Sequence, residues 1–197
     1  MSSNSRLQSE LKQNKPFVSK AAEATVSLVR TTDLIRRNLA NVLTVFDLTT
    51  QQFNVLRILR GAGEKGLPTL EIAERMIEQT PGITRLIDRL ENKQLVLRVR
   101  CTTDRRQVFC HITGEGLALL NELDRPVHDA QEASLSSMNE SELEQLVQLL
   151  DRARTGLSDA LGATTVEPRT AADERKTRSV RSSSAAHRSI LRKQAAM

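Results

Sequence analysis

Residues 98–113 read RVRCTTDRRQVFCHIT, and the fold is decided by how this stretch is taken. Apolar and polar residues alternate in Val96–Cys101 (VLRVRC) and again in Val108–Ile112 (VFCHI), with Thr-Thr-Asp between them. This pattern predicts two short strands joined by a connection that points into solvent. Asp104, Arg105 and Arg106 fall at that tip. Two adjacent guanidiniums on a solvent-facing turn suit an anion, and a neighbouring carboxylate suits the task of orienting one of them.

Working upstream, Ile77–Lys93 reads IEQTPGITRLIDRLENK. Thr80 is placed to cap a helix and Pro81 to occupy its first position, where a missing N–H costs nothing. Ile83, Leu86, Ile87 and Leu90 then form a buried stripe at helical spacing, which leaves Gly82, Thr84, Arg85, Asp88 and Arg89 facing outward. Before it, Thr69 is the expected N-cap of a shorter helix, LEIAERM, with Glu71 and Glu74 in its opening turns. Two short helices joined by a turn over residues 77–79, with an earlier helix to pack on, make a helix-turn-helix, and the hairpin then sits where a wing belongs. The earlier helix starts after Asp47-Leu48-Thr49-Thr50, repeats Phe53, Leu56 and Leu59, and stops at Gly61-Ala-Gly63.

Flanking elements read as long helices. Val26, Val29, Ile35, Leu39, Val42 and Val45 recur at three- and four-residue intervals from Val18 to Val45, as one face of a helix requires. After the hairpin, Thr113-Gly-Glu-Gly116 opens a helix whose apolar positions are Leu117, Leu119, Leu120 and Leu123, with a kink expected at Pro126. Asn139 and Glu142 make a capping box for a last helix that carries Leu143, Leu146, Val147, Leu149 and Leu150. Residues 1–17 read as a flexible N-terminus and 18–161 as the folded domain. From 162 to 197 the composition turns to Ala, Ser, Thr and Arg and predicts disorder.

Charge is segregated along the chain. The net +5 is carried by the 162–197 tail, whose eight basic residues meet three acidic ones. Within the folded part, Arg75–Arg106 has eight basic residues to four acidic, whereas Thr113–Asp151 has nine acidic to one basic. One part of the fold is therefore suited to a polyanion and another is not. Aromatic residues are 2% of the chain, with no Trp and no Tyr, which excludes a base-stacking surface for single strands. No run of 18 apolar residues and no apolar leader occur, so neither a membrane span nor a signal peptide is expected, and the expected location is cytoplasmic.

Taken in order, Leu48-Thr49, the TRLIDRLENKQLVLR run, Asp104-Arg105-Arg106 and Ile112-Thr113-Gly-Glu-Gly116 resemble the MarR family of winged helix-turn-helix regulators. The resemblance spans about Val26 to Leu157. It implies a mainly α fold with a small β-hairpin wing, a winged helix-turn-helix plus a helical dimerisation region, and a homodimer in which the first, fifth and sixth helices interlock. It also implies a transcriptional repressor that binds a palindromic operator in double-stranded DNA. A small lipophilic or phenolic effector is implied between the dimer helices and the reading head, with Phe46, Phe53 or Phe109 nearby. The family's Asp-x-Arg wing motif falls on Asp104 and Arg106. One departure stands out: the family's Lys-Gly-Leu is here Lys93-Gln94-Leu95, and a left-handed Gln costs roughly 1 kcal/mol relative to Gly.

On this reading the major groove is read through Thr84 and Arg85, with Gln79, Thr80, Pro81 and Gly82 approaching backbone or a thymine methyl and Arg89 on phosphate. Arg105 and Arg106 enter the minor groove, and Asp104 braces Arg106 or the strand residue Arg98. No catalytic constellation accompanies His111, His128 and His187. Cys101 and Cys110 lack CxxC spacing, so neither a metal nor another cofactor is expected. Two other readings stay open. One is a protein-interaction module, which predicts no basic clustering on the reading helix. The other is a thiol-based redox sensor, in which a cysteine at the wing root is activated by Arg100. The tail either adds nonspecific phosphate attraction or serves as a solubilising extension.

Overall fold

The computed structural model describes residues 6–78, 81–100 and 108–164. A short helix α1 (Arg6–Glu10) precedes α2 (Lys20–Val45), whose N-cap Ser19 accepts from the Ala22 N–H at 3.1 Å. Then follow α3 (Thr50–Ala62), a 3-10 turn (Gly63–Lys65), a two-residue strand β1 (Leu67–Pro68), and α4 (Thr69–Arg75). The recognition helix α5 (Ile83–Asn92), strands β2 (Val96–Arg100) and β3 (Val108–Ile112), and helices α6 (Gly114–Leu135) and α7 (Glu140–Thr164) complete the order. The chain separates into two units, residues 1–137 and 138–197.

In the first unit, α3 is the central support. Its N-terminus carries a full capping box, in which Thr49 accepts from the Gln52 N–H and the Gln52 side chain accepts from the Thr49 N–H. That reciprocity explains why Gln52 is buried. Phe53, Val55, Leu56 and Leu59 enter the core from α3 and meet Leu43, Ile72, Leu86, Ile87, Leu90, Leu120 and Leu123. Arg60 reaches from α3 to α6 with a bidentate pair to Asp124 at 2.9 and 3.0 Å, and those hydrogen bonds hold the Asp124 carboxyl below its usual range. Between α2 and α6, the Asn38 amide donates to the Ala130 carbonyl and to Ser134 Oγ.

The sheet runs β1-β3-β2, antiparallel throughout, with Arg98 opposite Cys110 and Leu97 opposite His111. The third strand is absent from the sequence reading. Leu67 and Pro68 pair with Cys110 and Phe109, a run too short to show alternation and one whose proline fits only a sheet edge. Gly66 makes the approach possible. Its φ is +60°, and a Cβ there would stand 2.6 Å from the Cys110 carbonyl oxygen and from the His111 ring.

Helix starts differ from expectation in two places. Thr69 is the first residue of α4, not its cap: Pro68 holds the N-cap position, and the Thr69 hydroxyl lies 3.8 Å from Cys110 Sγ instead. Pro81 is not the first residue of α5. The helix begins at Ile83 after Gly82, whose φ of +89° places it in the left-handed region and breaks the helical run from Pro81. Thr80, the expected cap, lies outside the described residues.

The ends of α2 and α5 are alike. At α2, the Leu48 N–H donates to the Leu43 carbonyl and the Asp47 N–H to Thr44, with Asp47 at φ +52°. At α5, Leu95 donates to Leu90 and Gln94 to Glu91, with Gln94 at φ +61°. Both are Schellman ends with a buried apolar pair across the turn, Leu43/Leu48 and Leu90/Leu95. The Lys93 ammonium ties them together by donating to the Asp47 carbonyl and, at 2.7 Å, to its carboxylate. Replacing Gln94 with Gly is expected to stabilise the fold by about 0.5–1 kcal/mol, since Gly takes this φ at no steric cost. A denaturant midpoint that falls on that substitution would contradict it.

Thr113 caps α6 by accepting from the Gly116 N–H, and its hydroxyl donates to the Gln94 carbonyl. The helix continues past Pro126 to Leu135 as one element. The stripe predicted on α2 is only partly covered. Leu39 and Val42 pack on the core, yet Val29 is 66% and Val45 82% exposed, and Leu28, Leu34 and Ile35 are exposed beside them. In the second unit, α7 opens on the predicted box, with the Asn139 side chain accepting from the Glu142 N–H and Glu142 accepting from the Asn139 N–H. Val147 and Leu149 of its stripe are exposed.

Candidate nucleic-acid interface

Helix α5 is held by Leu86, Ile87 and Leu90, all buried, with Ile83 packed against the core edge. The 3.6-residue period then fixes what faces away. Pro81, Gly82, Thr84, Arg85 and Arg89 are exposed, and Asp88 is half-buried. Among the described residues Arg85 has no ion-pair partner, so its guanidinium is available to an incoming acceptor.

Asp88 does not pair with Arg85. Its partner is Arg98 on β2, at 2.6 Å, and the same guanidinium reaches Glu91 at 3.0 Å and donates to the Thr84 carbonyl at 3.2 Å. Burial alone would pull the Arg98 pKa down, but the hydrogen bond and charge of Asp88, with the charge of Glu91, hold it above its ordinary value. Two consequences follow. Arg98 offsets one of the two α5 carboxylate charges, and the exposed Arg85 and Arg89 outweigh the one that remains. The first strand of the wing is also fastened to the recognition helix at three points.

Arg98 therefore has a bracing role through Asp88 and Glu91, and Asp104, expected to brace Arg106 or Arg98, lies outside the described residues. The sheet register turns Arg98 toward the helix whose carboxylates lie seven and ten positions upstream. Asp104, Arg105, Arg106 and Cys101 lie outside the described residues, as do Gln79 and Thr80. Cys110 is fully buried, with its Sγ 3.8 Å from the Thr69 hydroxyl. No group of three or more His, Cys, Asp or Glu side chains suited to a metal is found among the described residues, nor any helix long and apolar enough to cross a membrane.

Behind the reading helix a cavity of about 160 Å³ opens between α2, α3, the turn after α4, and α6. Leu39, Phe53 and Met76 line it together with Arg36, Arg57 and Glu78. Of the three phenylalanines expected near an effector, only Phe53 is among its walls. Phe46 packs against the core from the end of α2, and Phe109 pairs with Pro68 in the sheet. The charged lining was not anticipated, because its members are scattered over three elements and share no local motif.

A family model described as "MarR family" matches residues 48–108. The HTH-type transcriptional regulator MhqR of Bacillus subtilis is 34% identical over 106 residues, covering 53% of this chain and 71% of that protein. A crystal structure of a MarR transcription factor from Planctomyces limnophilus has 40% identity and a TM-score of 0.55, covering 69% of this chain and 98% of that one. A mutant MarR from E. coli complexed with operator DNA shares the fold at 22% identity and a TM-score of 0.63, over 71% of this chain and 99% of that one. With a recognition helix that turns a basic face outward and a three-stranded wing fastened to it, the chain belongs to the MarR family of DNA-binding transcriptional regulators.

Proposed function

We propose that the protein is a homodimeric repressor that binds a palindromic operator in double-stranded DNA, in the cytoplasm, and is released by a small ligand. The observation that carries this reading is the outward face of α5, where Thr84, Arg85 and Arg89 are exposed while Asp88 and Glu91 are paired with Arg98. Thr84 and Arg85 read base edges in the major groove, Arg89 contacts phosphate, and residues 79–82 approach the backbone. Arg105 and Arg106 occupy the minor groove, with Asp104 orienting one of them.

The exposed Leu28, Val29, Leu34 and Ile35 of α2 support pairing with a second copy, since apolar groups sharing one helix face are stabilised by cover. Domain roles follow from that pairing: residues 18–161 read DNA and dimerise, and the basic 162–197 tail adds phosphate attraction. The cavity beneath the reading head, with its apolar walls, supports an effector site.

The test is a selection of the full chain against a random duplex library at near-physiological salt. An enriched palindrome with half-sites about one helical turn apart is the expected result. A pool without enrichment would favour the protein-interaction reading. With the selected duplex in hand, Arg106→Ala is expected to weaken binding to all duplexes and to lower the slope of log affinity against log salt by about one unit. An unchanged slope would remove the wing from the contact.

A further inference from the structure

We propose that Lys93 is a positioning residue that sets the half-site spacing the protein accepts, by fastening the trailing end of the recognition helix to the end of α2. The inference rests on the reading of the chain as a homodimer on a palindromic operator and names what fixes the separation of its two reading heads.

Charge explains why the link forms. Helix α2 has no basic residue in its last turn, so the partial negative charge at its C-terminus has no cation of its own. Lys93, the C-cap of α5, supplies one. Its ammonium donates to the Asp47 carbonyl and, at 2.7 Å, to the Asp47 carboxylate.

Rigidity explains why the link transmits position, since a link fixes two helices only when neither of its ends can drift. Asp47 is set by its own N–H bond to Thr44 and by the bond from Leu48 to Leu43. Lys93 is set by its N–H bond to Arg89 and by the bond from Leu95 to Leu90. Leu43, Leu48, Leu90 and Leu95 are buried, so both turns are pinned to the core. Helix α6 grips the same end of α5 from its own start. The Thr113 hydroxyl donates to the Gln94 carbonyl and the Thr113 N–H to the Leu95 carbonyl at 3.1 Å, and a Cβ on Gly116 would stand 2.5 Å from that Leu95 oxygen.

Helix α2 is also the one whose exposed Leu28, Val29, Leu34 and Ile35 support pairing with a second copy. A reading head fastened to its own α2 is thereby fastened to the other head. Moving one half-site by a base pair shifts it about 3.4 Å along the duplex and turns it by about 35°. An anchored head breaks the link to follow, whereas an unanchored head follows freely. The two side chains are 31% and 96% exposed, and a pair this open shifts an equilibrium by about 2- to 5-fold. A two-fold dimer holds the pair twice, which gives about 4- to 25-fold for both heads together.

The experiment measures affinity of the full chain for the palindrome selected above and for two derivatives with one base pair added or removed at its centre. Asp47→Gly and Lys93→Met are compared with the parent, each checked for unchanged helical circular dichroism. The parent is expected to prefer the selected palindrome. Asp47→Gly is expected to bind that palindrome about 4- to 25-fold more weakly and the derivatives about as before, so that the preference shrinks by the same factor. Its other consequences run the opposite way. Loss of a negative charge strengthens attraction to a polyanion, and Gly takes the φ of +52° at no steric cost, which holds the thermal midpoint near the parent's. Lys93→Met, which loses both bonds, is expected to narrow the preference at least as far. Asp47→Gly binding the palindrome as tightly as the parent or more so would overturn the anchor, and so would either variant that weakens all three duplexes by one common factor. A parent that selects a palindrome yet binds all three equally overturns this inference alone. A parent that selects no palindrome overturns the regulator reading and this one with it.

Discussion

Arg85→Ala is expected to reduce affinity for the selected operator by about 1–3 kcal/mol, roughly 5- to 150-fold, while changing affinity for random duplex little. The argument starts from packing. Leu86 and Ile87, the next two residues, are buried, so the helix cannot rotate to hide Arg85 without exposing its own anchors. Asp88, the carboxylate that helical spacing brings nearest, is taken by Arg98 at 2.6 Å, so among the described residues no carboxylate occupies the Arg85 fork. A bidentate guanidinium matches the two acceptors of a guanine edge in the major groove. Binding to unselected sequence depends on phosphate contacts, which removal of one base-reading side chain leaves largely intact. Competition titrations with operator and scrambled duplex at one fixed salt concentration separate the cases. Equal losses on both would assign Arg85 to phosphate.

Ile87→Ala is expected to destabilise the fold by about 2–5 kcal/mol, which for a unit of this size lowers the thermal midpoint by roughly 8–20 °C. Ile87 has no exposed surface, and it lies in the core cluster where α5 meets residues from α3 and α4. Truncation removes transfer free energy and leaves a cavity in a site walled by other buried side chains. Ile87→Val, which deletes one methylene, is expected to cost only about 0.5–1.5 kcal/mol. With no Trp and no Tyr in the chain, circular dichroism at the helix minimum is the practical readout, taken at matched protein concentration because self-association stabilises by mass action. A loss below that of Ile87→Val would mean that α5 is held chiefly by its ends.

The helices and the hairpin were legible because each has its own period and its own punctuation. The i, i+3, i+6 spacing of Phe53, Leu56 and Leu59 and the alternation of β2 and β3 need no tertiary information. The same is true of the boxes at Thr49/Gln52 and Asn139/Glu142, which act within one turn. Gln94 was singled out because the family pattern wants glycine there, and its φ of +61° shows why. What failed depended on contacts between elements. Pro81 read as a helix start until Gly82, in the left-handed region, placed a turn between them. β1 was invisible because two residues cannot alternate. The stripe of α2 indicated which residues share a face but not what covers them, and Val29 and Val45 are exposed. The pairing of Arg98 with Asp88 and Glu91 was not legible, because distance along the chain does not report distance across the fold. Arg36, Arg57 and Glu78 carried no local signal at all.

The attachments of α5 to α2 have a mechanical consequence. Glu78, ahead of the recognition helix, is bound to Arg36, and Lys93, at its far end, is bound to Asp47 just past the end of α2. Two fixed points on one body define a pivot line. While both hold, sliding of α5 along its own axis stretches one link or the other, and a roll about the line joining them would lift Leu86 and Ile87 off the core. Once the forward link opens, the rear one becomes a ball joint, and the leading end of the helix swings while its trailing end stays in place.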